Sequence, residues 1–433
     1  MSRNKKNKKW FIVMATVIVC FAFGPPQAEA ETASKPKYRG YLGVKLSELS
    51  PEGCTRLGLK ENCGVRILAA MQDSPAEKAG LINGDVILSI NGRPAVNVKS
   101  VVEQTQNLGA GATVEMIILR SGREKEVSVM LAPNPQDLLE EPDSSPGCFK
   151  VKVIKDIPYF KVNGQESNEH KLNLILPVTE TRFPLVMWIH GGGWSFGDRS
   201  RETALGVRFA ERGVGFAAIN HRLSSGAWKD PNLSITGVKH PEHVRDCARG
   251  FAWLHSNIKS YGADPNSIFV GGYSSGGHLA ALLALDSQYL KELNISSSTI
   301  KAVITVGGTY DLVKYHDYLI NAIGKNRADA HLIAVFGPTA KLWRDASPAS
   351  YLQNCNIPML MIAEKDKGLR QYMEDFKQAA EKANINSIKF LVAEDRSHEE
   401  SPSMMSRKGE DPIRDAIIGF IRDCCKDLGE KKR

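Results

Sequence analysis

Along most of the chain, short continuous apolar runs alternate with stretches of helical periodicity. Leu172–Leu176, Leu185–Ile189, Gly215–Ile219, Ser267–Val270, Ala302–Val306, Pro358–Ile362 and Ile388–Val392 hold too few polar positions to leave one face in water. Apolar strands between helices predict a mostly parallel sheet with helices on both faces, an α/β fold. The first part of the chain follows another pattern. Short β-type runs such as Gly64–Leu68 and Asp85–Ile90 are punctuated by turn signals at Asn91-Gly92 and Ser121-Gly122. Only two stretches there read as helices: one opening at Pro75 behind a Ser74 cap, the other from about Val98 to Leu108. A small mixed β/α domain over residues 39–133 is expected. Asn134–Gly147 is rich in proline, acid and serine with little to bury, and is read as part of a linker over 134–149. The α/β domain then spans 150–428.

The first thirty residues carry a different signal. Arg3, Lys5, Lys6, Lys8 and Lys9 precede an apolar stretch from Trp10 to Phe23, then Gly24-Pro25-Pro26 and Ala28-Glu29-Ala30. This order predicts a bacterial-type secretory signal peptide, residues 1–30, cleaved after Ala30, and hence a periplasmic or secreted protein. A retained anchor is the alternative, although the stretch is short of the roughly 20 residues a spanning helix needs. No stable membrane insertion is expected after cleavage. Removing the segment takes away five bases and one acid, so the formal charge falls from +8 to +4. No basic stripe with interleaved aromatics argues for nucleic acid. Seven cysteines remain, an odd number, which excludes a complete disulfide framework and leaves a Cys54–Cys63 pair open. None has metal-ligand spacing, so no metal or organic cofactor is implied.

The chemistry gathers in two runs of the second domain. Gly272-Tyr273-Ser274-Ser275-Gly276 follows an apolar strand and opens a strongly helical segment, Gly277–Leu285. Strand, glycine-flanked serine and helix form the context of a nucleophile elbow. His190-Gly191-Gly192-Gly193-Trp194 follows its own strand. The N–H groups of Gly191 and Gly192, with that of Ser275, suit an oxyanion hole, with Gly193 as an alternative donor. A serine hydroxyl needs a histidine base, and that base an acid. In the order serine, acid, histidine, the candidates at strand ends are Ser274, Asp366 and His398. Asp311 is a competing acid whose surroundings read as a turn brace, and Glu364 and Asp395 read as loop residues. His190, His278 and His331 suit structural or surface roles. Lys314–Leu342 is either part of a lid or a surface helix.

Two resemblances add to these readings. Arg39–Val44, Asp73–Leu81, Gly84–Ile87 and Ile90–Gly92 together resemble a PDZ domain of the kind found in bacterial periplasmic proteases. The resemblance implies that Tyr41, Leu42, Gly43 and Val44 offer backbone N–H groups to a peptide C-terminus, which adds as a strand beside the second helix. A spacer without ligand is the alternative. From about 150 to 425 the chain resembles the α/β-hydrolase esterases and lipases, a group that includes acetyl and feruloyl esterases and kynurenine formamidase. Asn220–Leu223, His240–Asp246, Tyr261–Pro265 and Ser347-Pro348 carry this likeness. Family members usually have Tyr-Arg-Leu where this chain has His221-Arg222-Leu223, and often Gly where it has Ala363-Glu364. The resemblance implies a serine esterase acting on a small-molecule or polymer-linked ester through an acyl-enzyme. An amidase or peptidase fed by the PDZ domain is the second reading, and a non-catalytic binding protein the third.

Overall fold

The computed structural model describes residues 36–59, 64–71, 74–227 and 234–430. The expected signal peptide and Cys63 lie outside these residues. The chain divides into two compact units between Ala132 and Pro133.

In the first unit an antiparallel sheet runs in the order Val44–Glu48, Val65–Ala70, Val86–Ile90, Thr113–Arg120, Arg123–Met130. Its core is Val65, Ile67, Ile87, Val114, Met116 and Ile118 with Val101 of the helix Val98–Leu108. Asn97 caps that helix in a reciprocal pair with Ser100. Asp85 is buried because it braces a turn: it accepts from the Ile82 amide at 2.9 Å and pairs with Arg120 at 2.6 Å. A third helix, Pro51–Arg56, escaped the sequence reading although Ser50 caps it and proline occupies its first turn. At six residues it is too short to show an apolar period.

The second unit is built on an eight-stranded sheet. Its strands are β1 (Val151–Pro158), β2 (Lys171–Pro177), β3 (Phe183–Ile189), β4 (Gly215–Ile219), β5 (Ala263–Tyr273), β6 (Val303–Val306), β7 (Met359–Glu364) and β8 (Ile388–Ala393). Their spatial order is β1-β2-β4-β3-β5-β6-β7-β8; β1, β2 and β4 pair antiparallel and all the rest parallel. The seven apolar runs are strands, as predicted. β1 was not foreseen: it is an edge strand whose polar Lys152, Lys155 and Asp156 break the apolar run. Two separate apolar layers cover the sheet. One contains α1 (Thr203–Ala210) and α7 (Pro412–Glu430), the other α2 (Glu242–Asn257) and α3 (Ser275–Leu285). α3 is buried along its whole length, as a helix apolar on every side must be.

The segment read as a linker is only partly free of structure. Pro135–Glu140 forms a helix capped by Asn134, and the Leu139 carbonyl accepts from buried Arg208 at 3.2 Å. Phe149 N–H donates to the Glu211 carbonyl at 2.9 Å. A polar stretch can thus be held by its backbone, which composition does not reveal.

Candidate active site

The site lies at the carboxyl ends of β3, β5, β7 and β8, where a parallel sheet collects its ligands. Ser274 follows β5 directly, with φ +56° and ψ −122°, a left-handed conformation that a non-glycine residue rarely adopts. Neighbouring contacts hold it there: its amide donates to the Val306 carbonyl at 2.8 Å, and its carbonyl accepts from His278 at 3.1 Å. The turn closes only with glycine at 276, since a Cβ there would lie 2.0 Å from the Ile189 carbonyl oxygen. Ser275 opens α3, so its N–H has no acceptor within the helix.

The glycine run after β3 turns back through the Gly192 carbonyl, which accepts from Ser195 and Phe196 at 3.2 and 3.0 Å. Gly192 and Gly193 line the cavity beside Ser274, whereas Gly191 packs against the Tyr273 ring. Trp194 ties this loop to the serine's helix. Its indole donates to His278 Nδ1 at 3.2 Å, and His278 Nε2 reaches the Ala346 carbonyl at 2.9 Å. Burial depresses the His278 imidazole to about 3. His190, stacked on His221 at 4.7 Å between ring centres, is also pushed down to about 3, by burial and then by that neighbour. Both rings are neutral packing elements in the pH 7 protein.

His398 arrives from the loop after β8. Its Nε2 lies 3.0 Å from Ser274 Oγ. Arg396, fully buried two residues earlier, anchors the loop by pairing with Asp411 at 2.6 Å and Asp395 at 2.8 Å. Tyr273 stacks on the imidazole, 4.7 Å between centres and 25° from parallel, and its hydroxyl donates to the His398 carbonyl.

Two carboxylates lie near His398. Asp366, at the N-cap position of α6 (Lys367–Lys382), accepts a hydrogen bond from the backbone N–H of His398, from the main chain and not from the ring. Glu364 faces the ring instead. It is the last residue of β7, wholly buried, with Oε1 3.4 Å from His398 Nδ1. The reading of Glu364 as a loop residue fails because β7 runs two residues past Ile362, pairing Glu364 with Ala393 of β8. Asp311 does brace a turn, accepting from the Val313 and Lys314 amides at the start of α4 (Leu312–Ile323). Asp395 is a loop residue paired with Arg396.

The cavity at Ser274 measures about 410 Å³. Gly192, Gly193, Ser274 and His398 line it together with Phe196, Tyr315, Leu319, Ile323 and His331, with Arg201 and Glu399 among its other residues. Tyr315, Leu319 and Ile323 come from α4 and His331 from α5 (Lys325–Phe336), so the stretch left open as lid or surface helix supplies a wall. Their four-residue spacing was visible in the sequence; the surface they would meet was not.

Residues 172–372 match the BD-FAE family model, and residues 40–131 match that of the PDZ domain. The chain joins a PDZ domain to an α/β-hydrolase domain of the esterase type. The BD-FAE match contains Ser274, Glu364 and Asp366 but stops short of His398. Esterase LipC of Mycobacterium tuberculosis is 29% identical over 194 residues, covering 41% of this chain and 43% of its own. A probable periplasmic serine endoprotease DegP-like of Rhizobium meliloti is 33% identical over 102 residues, 24% of this chain and 20% of its own. The chain therefore spans less than half the length of these curated relatives. Among solved structures, esterase B from Lactobacillus rhamnosis superposes with a TM-score of 0.53 at 17% identity, over 69% of this chain and 93% of that one. At that identity the likeness speaks for the fold.

In the PDZ domain, the Leu42 carbonyl accepts from Ala76 and the Gly43 carbonyl from Met71; Val44–Glu48, which follows, stands at the end of its sheet, paired with Val65–Ala70. The helix Val98–Leu108 lies beside that strand, tied by a 2.9 Å bond from the Val98 amide to Glu48. Tyr41, Leu42, Gly43 and Val44 thus lead into a strand with a free edge among the described residues.

Proposed function

We propose that the protein is an exported serine hydrolase that cleaves carboxylic esters. The observation that carries this reading is the 3.0 Å approach of His398 Nε2 to a serine held in a strained turn beside a cavity. In the first step Ser274 Oγ bonds to the ester carbonyl carbon while its proton passes to His398 Nε2. The carbonyl electrons move onto oxygen, which takes hydrogen bonds from backbone N–H groups of the glycine run and from Ser275. Collapse breaks the bond to the alcohol oxygen, which leaves with the proton from His398. Water repeats the sequence on the acyl-enzyme, releases the acid and restores Ser274. The cavity wall of Phe196, Leu319 and Ile323 favours an apolar group on the ester, of small-molecule or polymer-linked origin.

The PDZ domain receives a peptide C-terminus along Val44–Glu48, and so directs where the esterase acts. Likeness to DegP-like periplasmic proteases and the basic-apolar sequence at the start of the chain support this placement outside the cytoplasm.

A fluorophosphonate probe tests the assignment. The full chain is expected to label, S274A to lose labelling, and p-nitrophenyl esters to be hydrolysed in preference to aminoacyl amides. Unlabelled wild-type protein, or full labelling of S274A, would overturn it.

A further inference from the structure

We infer that Glu364, rather than Asp366, is the positioning carboxylate that orients His398, an inference that rests on the serine-hydrolase reading above. Neither oxygen of Glu364 has a hydrogen-bond partner among the described residues, and its side chain is wholly buried. A carboxylate in such a place is costly unless paired, and an unsatisfied one calls for a reason. The reason stands 3.4 Å away: His398 Nδ1, itself buried and without a hydrogen bond. Two unsatisfied groups of complementary chemistry face each other a few tenths of an ångström beyond bonding distance. Catalytic bonds of this kind are commonly long in the unliganded enzyme and tighten around the reacting substrate.

The surrounding strands frame this pair. A Cβ at Gly307, just after β6, would lie 2.6 Å from His398 Nδ1 and 2.7 Å from Glu364 Oε2, so imidazole and carboxylate share the space above a bare backbone. Asp366 is engaged elsewhere. Its Oδ2 accepts from the main-chain N–H of His398, and it is half-buried at the helix start. The two carboxylates therefore divide one task, Asp366 fixing the backbone of His398 and Glu364 its ring. When Nε2 takes the serine proton, the imidazolium keeps its Nδ1 proton and donates it as a hydrogen bond to the Glu364 carboxylate. The proton gained at Nε2 later leaves with the alcohol, so no proton need pass to Glu364.

The test uses full-length E364Q and D366N, with kcat and KM on p-nitrophenyl butyrate and proton NMR of the His398 Nδ1–H resonance at low pH. E364Q is expected to lose about 10³- to 10⁴-fold in kcat with KM within about threefold. It is also expected to lose the downfield Nδ1–H resonance. D366N is expected to lose about tenfold or less in kcat and to keep the resonance. If D366N loses the resonance and more activity than E364Q, the inference is overturned. Should E364Q fail to fold, D366N decides alone: a retained resonance supports the inference and a lost one overturns it. If the wild type turns over no ester, the proposed function fails, while the resonance still reports which carboxylate meets the ring.

Discussion

The serine side and the histidine side of this site are built by different means. On the serine side, the nucleophile, the glycine beside it and the helix that follows belong to one run of about fifteen residues, and local geometry places them. The turn at Ser274 and the close approach of Gly276 to the Ile189 carbonyl fix the backbone that presents the hydroxyl. On the histidine side, no local motif sets His398. Its main chain is held by Asp366 from the end of β7 and by Tyr273 from the end of β5, and its ring faces Glu364. Buried Arg396 secures the loop that carries it to Asp411. A nucleophile can be specified by its own neighbours in sequence, whereas its base must be assembled from three strand ends.

That contrast can be broken at several points. Removing the nucleophile in S274A should have the largest effect, a fall of about 10⁴-fold or more in kcat with the fold intact, checked by steady-state kinetics and circular dichroism. Next comes R396M, which strands buried Asp411 without its cation. Such a loss typically costs about 3–5 kcal/mol, read as a shift in the urea midpoint, and kcat should fall as the loop loosens. S274A should leave that midpoint nearly unchanged, which separates the two sides.

Acid should act through the buried histidines, two of which, His190 and His278, stand beside the serine. His190 and His278 are held neutral, with folded values near 3 against an ordinary value of 6.5. Between those values the unfolded chain binds protons that the folded chain refuses, so stability is full above about pH 6.5 and falls as pH drops toward 3. Each ring contributes a loss of about 1.4 kcal/mol per pH unit once well below 6.5. Urea titrations at pH 7, 6 and 5 measure it, and H278N should flatten the slope. The smallest change is expected from Y273F, which keeps the stacked ring but removes the hydroxyl from the His398 carbonyl. A cost of about 1 kcal/mol in transition-state stabilisation, read as a few-fold loss in kcat/KM, would fit one neutral hydrogen bond.

Where one kind of interaction dominates, the sequence is a good guide. The six inner strands are legible because a strand covered on both faces has to be apolar throughout, and edge strand β8 because Phe390, Leu391 and Val392 keep its run apolar. Edge strand Val151–Pro158 is not, since one side meets water and its lysines interrupt the pattern. Asp311 as a turn brace is local and was readable; Arg208 gripping the backbone near Leu139 is not. The wall formed by Tyr315, Leu319 and Ile323 shows helical spacing, but any core-facing helix would.

By itself the sequence determined the two-part division, the mostly parallel sheet and the place of Ser274 in a strand-to-helix turn, because periodicity and the elbow motif act over a few residues. Only the tertiary structure decided which carboxylate meets the imidazole. Glu364 and Asp366 are two residues apart, at the point where β7 ends and the next helix begins. Whether a side chain there points along the sheet toward His398 or back to a main-chain amide depends on how far the strand stays paired with β8. That register is fixed by the packing of the whole sheet.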